Sequence, residues 1–372
     1  MMHRRQLLTS ALALTVAGPA WAATTAWDVQ YAAAASESEL RGARRTVERI
    51  LGPGVARSLE VAPAASGVAL LYRRGGTESS TRKIAAHHQR LLSAHGLTVR
   101  AVQRGRPDAL EDTTLEAQID AYVKKERRSG RVAADERTSW LVYDVEAERS
   151  LVTINADVPR QAASMVKPLV MLAFFSDVAK GRFIYGPKSR SKLTAMIQHS
   201  DNRATNWVID QVGGPAAVHR RLHERYGRLV PGARVVERIA PGGKTYLNAA
   251  SASDYGRYLR ALWNGELPSS VEQLRLLRLP GADRLYDGVP SIPAGTFVYN
   301  KTGTTSRLIG DMGLIAANRR SGSGRVPYVI VGIVDKAGRA SSLGAFQRTR
   351  GDVIRGVSDM AYRHLKSVYD LA

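Results

Sequence analysis

The sequence contains no cysteine. Disulfides, thiolate nucleophiles and cysteine-based metal sites are therefore excluded. The lack of cysteine is compatible with an oxidising compartment but does not establish one. Long apolar runs are also missing. Apart from a short run at the N-terminus, no stretch is long enough to span a membrane. Acidic residues are scarce: 33 Asp and Glu face 54 Lys and Arg, for a formal net charge of +21. Such a balance would suit nucleic acid, anionic lipid or an anionic polymer. The basic residues are dispersed, however, with no long basic block and no aromatic ladder between them, which argues against a nucleic-acid partner. Two readings stay open, a soluble basic surface and a weak attraction to an anionic envelope.

The short N-terminal run reads as a signal peptide over residues 1–22. Arg4 and Arg5 supply the positive region, residues 7–17 the apolar core, and Ala20-Trp21-Ala22 a small-x-small cleavage site. The arginine pair followed by Gln6-Leu7-Leu8 also fits a twin-arginine signal, and a plain secretory signal fits equally. Either route predicts an exported, periplasmic or extracellular protein with no transmembrane anchor in the mature chain.

The remaining 350 or so residues are enough for two domains with at least one large core. Residues 27–104 read as strand, helix, strand, strand, helix, strand. Strand character falls at 27–32, 58–61, 68–72 and 97–102, and helical spacing at 37–51 and 81–94. Gly52-Pro53-Gly54 ends the first helix and Gly96 caps the second. This order predicts a small ferredoxin-like α+β domain. Residues 105–112, around Gly105-Arg106-Pro107-Asp108, read as a linker. Residues 113–372 then open and close with helices (114–127 and 346–369). Strand runs lie near both ends, at 140–145, 150–155, 311–316 and 328–334, and a helical insert covers about 170–277. That pattern predicts an α/β domain: an antiparallel sheet flanked by terminal helices, plus an all-helical subdomain.

Three short motifs follow in order: Ser164-Met165-Val166-Lys167, Ser200-Asp201-Asn202 and Lys301-Thr302-Gly303. Ser-x-x-Lys by itself means little, since it also occurs at Ser80 to Lys83 and at Ser189 to Lys192. Only Ser164 is followed by an apolar helical run, residues 168–175. Pro168 belongs in a first turn and so places the helix start near Ser164. The hydroxyl then lies at the positive end of the helix dipole, and the i, i+3 spacing brings Lys167 onto the same face. A serine hydroxyl is a poor nucleophile until a base takes its proton. Lys167 can be that base only if burial or a neighbouring cation lowers its pKa, and Lys301 is the predicted neighbour. Each motif also has a plain structural use, as a helix cap, a polar turn and a strand edge. Their order and their contexts of apolar helix, helix end and strand (296–300) distinguish the set from coincidence.

On these motifs, with Asn206 and Gly213-Gly214-Pro215 in support, residues 113–372 resemble the class A β-lactamases and their D,D-peptidase relatives. The resemblance implies the β-lactamase/transpeptidase-like α/β fold and acylation of Ser164 by a β-lactam or a D-alanyl peptide, with no metal or other cofactor. It gives Ser200 a proton-shuttle role and Asn202 a hydrogen bond to the substrate amide and to Lys167. Lys301 and Thr302 would bind a substrate carboxylate, and Gly303 would allow the substrate backbone close. The backbone N–H groups of Thr304 and Ser164 would form the oxyanion hole. The pattern departs from the family where a Glu-x-x-Leu-Asn loop activates the deacylating water. Glu237 falls near the right place but is followed by Arg238-Ile239-Ala240-Pro241, whereas anchoring on Leu247-Asn248 puts Lys244 there. Glu237 is thus either the deacylation base or a surface carboxylate. The leading expectation is an exported serine hydrolase of the class A β-lactamase type, opening β-lactam amide bonds through an acyl-enzyme at Ser164. The alternatives are a slowly deacylating D,D-peptidase or amidase on cell-wall peptides and a catalytically weak peptidoglycan-binding protein. Residues 27–104 resemble the sporulation-related-repeat domains, which implies peptidoglycan glycan strands as a partner, against a generic accessory domain.

Two further patterns are set aside. Gly242-Gly243-Lys244-Thr245 has Arg238 where a phosphate loop needs its earlier glycine. The adjacent His87 and His88, with His95, point to different faces of a helix.

Overall fold

A computed structural model describes residues 26–64, 67–103, 114–320 and 324–372. The signal-peptide and linker readings, at 1–22 and 105–112, lie outside the described residues. The N-terminal region comprises β1 (Trp27–Ala34), α1 (Glu37–Leu51), a short α2 (Pro53–Ala56), β2 (Leu59–Ala64), β3 (Gly67–Gly76), α3 (Glu78–Leu92) and β4 (Arg100–Gln103). Its four strands pair antiparallel in the order β2-β3-β1-β4. Each helix returns its following strand across one intervening strand, which is the ferredoxin-like arrangement. Leu40, Val47, Leu70 and Leu92 pack between helices and sheet. His88 faces inward too, where its Nδ1 lies 2.9 Å from the Tyr31 hydroxyl.

The larger region begins with α4 (Leu115–Arg128), β5 (Glu136–Asp144), β6 (Arg149–Val152) and β7 (Arg160–Gln161). Next come α5 (Lys167–Val178), α6 (Pro187–Gln198), α7 (Asn202–Val212), α8 (Pro215–Tyr226), β8 (Ala249–Ala250), α9 (Ala252–Trp263) and α10 (Ser270–Leu277). It closes with β9 (Phe297–Thr305), β10 (Leu308–Asn318), β11 (Arg325–Lys336) and α11 (Leu343–Tyr369). The five-stranded antiparallel sheet has the order β6-β5-β11-β10-β9. Helices α4 and α11 cover one face over Trp140, Tyr328 and Tyr362. The helical subdomain covers the other, centred on α5, whose Leu169, Val170, Met171, Leu172 and Phe175 are wholly buried. A helix apolar on every side, as α5 is, belongs in the middle of such a core.

Two expectations need correction. The insert is not purely helical: β8 pairs with β7, Arg160 opposite Ala250, and ties the end of the 236–248 loop to the strand leading into Ser164. The third motif does not sit just past a strand. β9 continues through it to Thr305, with Lys301, Thr302 and Gly303 opposite Met312, Asp311 and Gly310. Glycine and lysine are poor strand formers in isolation, and here the neighbouring strand decides.

Candidate active site

Ser164 lies on a 3-10 turn, Ala163–Val166, and α5 proper starts at Lys167. Pro168 has no N–H to give the Ser164 carbonyl, so the Lys167 N–H bonds it instead, one residue early. The turn is entered through Ala163 at φ 46°, a left-handed conformation that a non-glycine residue adopts only under constraint. The constraint is β9. A Cβ on Gly303 would meet Met165 Cγ at 3.1 Å, Ala163 Cβ at 3.2 Å and the Ala162 carbonyl at 3.3 Å. Gly303 therefore lets the nucleophile turn itself press against β9.

Lys167 is fully buried. Its Nζ donates to the Ser200 carbonyl, to Ser200 Oγ at 2.9 Å and to Asn202 Oδ1 at 2.9 Å. Ser200 reaches it from a left-handed backbone, φ 54°, while Asp201 caps α7 by accepting the Ala204 N–H at 2.6 Å. The second motif thus caps a helix and also brackets a lysine. His199, beside it, is exposed. Burial pushes the Lys167 ammonium down to about 7, the Lys301 charge adds to the shift and Asp201 opposes it. At that value a large share of Lys167 is neutral near pH 7, as a general base requires.

Lys301 is 4 % exposed and donates to the Thr302 carbonyl at 3.1 Å. Burial brings it down to about 8, with Asp311 opposing and Arg284 reinforcing the shift. Beneath it lie residues that the sequence did not single out. Arg284 donates to Thr304 Oγ1 at 2.8 Å and to the Gly310 carbonyl at 3.0 Å. Asp311 accepts from the Arg284 backbone N–H at 2.8 Å and from Asn300 Nδ2 at 3.1 Å. Burial and the nearby Asp283 push its carboxyl up to about 7. Arg284 gave no local signal, because it sits in an irregular segment and reaches the site only through the fold. At the far end of β9, Thr305 Oγ1 donates to Gln161 Oε1 at 2.7 Å and locks the strand to the approach to Ser164.

The 236–248 loop has one carboxylate, Glu237. Its Oε1 accepts the Thr245 hydroxyl at 2.5 Å, the Tyr246 N–H at 2.6 Å and the Leu247 N–H at 2.8 Å. Asn248 returns the grip, accepting from the Val236 and Glu237 N–H groups and donating to the Glu237 carbonyl. The Asn206 side chain fastens the loop to α7 by bonding both the N–H and the carbonyl of Ile239 at 2.8 Å. The loop residue facing the motif cluster is Gly243, where a Cβ would stand 3.6 Å from Asn202 Nδ2. The structure therefore gathers Ser164, Lys167, Ser200, Asn202 and the Lys301–Thr304 stretch around one cleft. It turns the Glu237 carboxylate back into its own loop. Lys244 is exposed.

Comparison with known proteins gives the same picture. A model of the "Beta-lactamase enzyme family" matches residues 114–186 and 188–365. Among solved structures, PBP-A is similar at 21% identity with a TM-score of 0.55, over 68% of this chain and 96% of that one. A glutamate-for-leucine variant of PBP-A, solved as its acyl-enzyme with penicillin G, matches at 22% identity and a TM-score of 0.55, over 68% of this chain and 97% of that one. A β-lactamase from Desulfarculus baarsii DSM 2075 matches at 20% identity and a TM-score of 0.53, over 67% of this chain and 98% of that one. With this family match over most of its length, the chain belongs to the β-lactamase enzyme family of serine acyl-enzyme hydrolases.

Proposed function

We propose that the protein is an exported penicillin-recognising D,D-peptidase, acylated at Ser164 by D-alanyl peptides and β-lactams and slow to release the acyl group. Acylation is supported by the half-neutral Lys167, which can take the Ser164 proton. The Thr304 and Ser164 N–H groups would receive the oxyanion, and Ser200, already bonded to Lys167, would pass the proton to the leaving nitrogen. Lys301 and Thr302 would hold the substrate carboxylate. The observation that carries slow release is the occupied Glu237 Oε1. A carboxylate oxygen offers about two lone pairs. Three donors commit Oε1 to the loop and tether the carboxylate there, so only Oε2 is left to meet a water. A variant of the similar PBP-A forms an acyl-enzyme with penicillin G, which supports the acylation half of this reading. Residues 27–104 would hold the enzyme on glycan strands, which the dispersed positive charge would assist.

The test is labelling of the purified protein with fluorescent penicillin, followed by the rate of label release. Stable labelling that persists for many minutes and is lost in Ser164→Ala is expected. Release within seconds would make the protein a β-lactamase instead. Glu237→Gln should leave the release rate within about twofold while loosening the loop. A large slowing of release would return Glu237 to the chemistry.

A further inference from the structure

β9 is the edge strand of its sheet, so every second residue turns its N–H and C=O away from β10. An extended acyl donor can add to that edge as one more strand. The order of groups along β9 then sets the order of groups in the substrate. The terminal carboxylate lies at Lys301 and Thr302, and the scissile carbonyl at Thr304. The acyl side continues past Thr305 to the tip of the hairpin, Ser306 and Arg307, where β9 turns into β10.

That tip is firmly placed. The Ser306 carbonyl accepts the Ala340 N–H at 2.7 Å and the Arg307 carbonyl accepts the Lys336 N–H at 2.9 Å. Across the cleft, the loop that passes Asn202 at Gly243 reaches the same tip three residues later. The Tyr246 hydroxyl lies 3.4 Å from Ser306 Oγ, and the Arg307 guanidinium stacks 4.6 Å above the Tyr246 ring. Residues 243–246 therefore close the acyl end of the cleft. The exposed charges at this closure, Lys244 and Arg339, are positive, and the Glu237 carboxylate lies within the loop on the Tyr246 and Leu247 N–H groups. The Ser306 hydrogen bond, aided by the nearby Arg339, Arg307 and Lys244 charges, holds the Tyr246 phenol below its usual value. Lys244 and Arg339 are exposed. None of the three makes an ion pair with a described residue, and Arg307 Nε is buried without a hydrogen-bond partner. The one carboxylate of the loop, Glu237, is turned inward. Like charges that converge without a counter-ion raise the local concentration of anions.

Building on the acylation reading above, we infer that Lys244, Arg307 and Arg339 form a subsite for a second carboxylate, on the acyl side of the scissile bond. The enzyme selects acidic acyl donors: peptides with an acidic side chain just before the cleaved residue, and penicillins with a charged side chain. The arrangement requires no new chemical step, only a second anchor about two residues along β9 from the oxyanion site.

Benzylpenicillin and its α-carboxy derivative form a matched pair, differing by one carboxylate on the acyl side chain. The second-order rate constant for acylating the full chain is measured with each, and the readout is their ratio. In the wild type the carboxylated probe is expected to react at least about fivefold faster than the uncharged one. Raising the salt from about 0.05 M to 0.5 M should erase most of that preference, because exposed charges are screened over a Debye length. Lys244→Gln with Arg339→Gln should remove most of the preference, and adding Arg307→Gln should bring the ratio to about one. A wild-type ratio near one, a preference indifferent to salt, or variants that slow both probes equally would each overturn the subsite. Failure of benzylpenicillin to acylate the protein at all would instead sink the acylation reading beneath it, so the two failures are told apart.

Discussion

The rate of acylation should follow the protonation of two buried lysines, and the structure sets both limbs. A lysine at its ordinary pKa of about 10.5 is neutral in only about one molecule in three thousand at pH 7. Burial and the Lys301 charge bring Lys167 to about 7. The neutral share then rises to about one half, a gain of roughly a thousandfold in competent base. The neutral form is the active one, so the rate must climb as pH rises. From pH 5 to 6 it should grow about tenfold, and the climb should flatten above 7. Lys301 works in the opposite sense, because it must be charged to hold a carboxylate and sits at about 8. Its loss of charge lowers the rate on the alkaline side and leaves a maximum near pH 7.5. Stopped-flow acylation by a fluorescent penicillin between pH 5 and 9.5 measures both limbs. Lys301→Gln removes the neighbouring charge, so the acid limb should move to higher pH and the alkaline limb should vanish. A rate that stays flat from pH 5 to 7, or an acid limb centred above 9, would refute Lys167 as the base.

Two further substitutions probe the supports of the site. Gly303→Ala places a methyl group 3.1–3.3 Å from Met165, Ala163 and Ala162 and should push the nucleophile turn off β9. The expected cost is about 1–3 kcal/mol of stability with at least a tenfold loss of acylation, read by thermal melting and labelling rate. Full activity would mean that the turn does not depend on β9. Asn206→Ala removes both bonds to Ile239 and should cost about 2–3 kcal/mol. Hydrogen exchange should show the loss concentrated at residues 236–248, and unchanged protection there would remove Asn206 as the anchor of the loop.

What could be read from the chain was what local chemistry writes. The helices of both regions follow from apolar spacing and caps, and the βαββαβ order of residues 27–104 was legible from alternating strand and helical spacing, with Gly52 and Gly96 closing the two helices. Ser164 was legible because Pro168 can stand only in a first turn. Other features depend on partners far away in sequence. β9 runs on to Thr305 because β10 is there to pair with it. β8 is two alanines that pair with β7, nearly ninety residues earlier, and through Ala249 with Arg234. Arg284 and Asp311 matter because burial joins them under Lys301, and no spacing announces that. The packing of Gly303 against Ala163 and Met165 was hidden for the same reason, since those residues reach it only in the folded chain.

The two halves of the reaction are held in place by different means. On the acylation side, Ala163 and Ser200 both sit in left-handed backbone on either side of Lys167. Strain of that kind, of order 1–3 kcal/mol per residue, persists only where surrounding contacts over-determine it. Here those contacts are the β9 wall and the triple grip on the Lys167 ammonium. On the deacylation side, the loop is closed by ordinary hydrogen bonds, and three of them converge on the one carboxylate that might have served as a base. Those bonds fix the direction of the Glu237 carboxylate and leave only Oε2 for water. Faster release would therefore need more than an acid at a suitable position. The Thr245 and Tyr246 donors, buried and half-buried, would first have to find another acceptor, since leaving both without one would cost more than a single hydrogen bond returns.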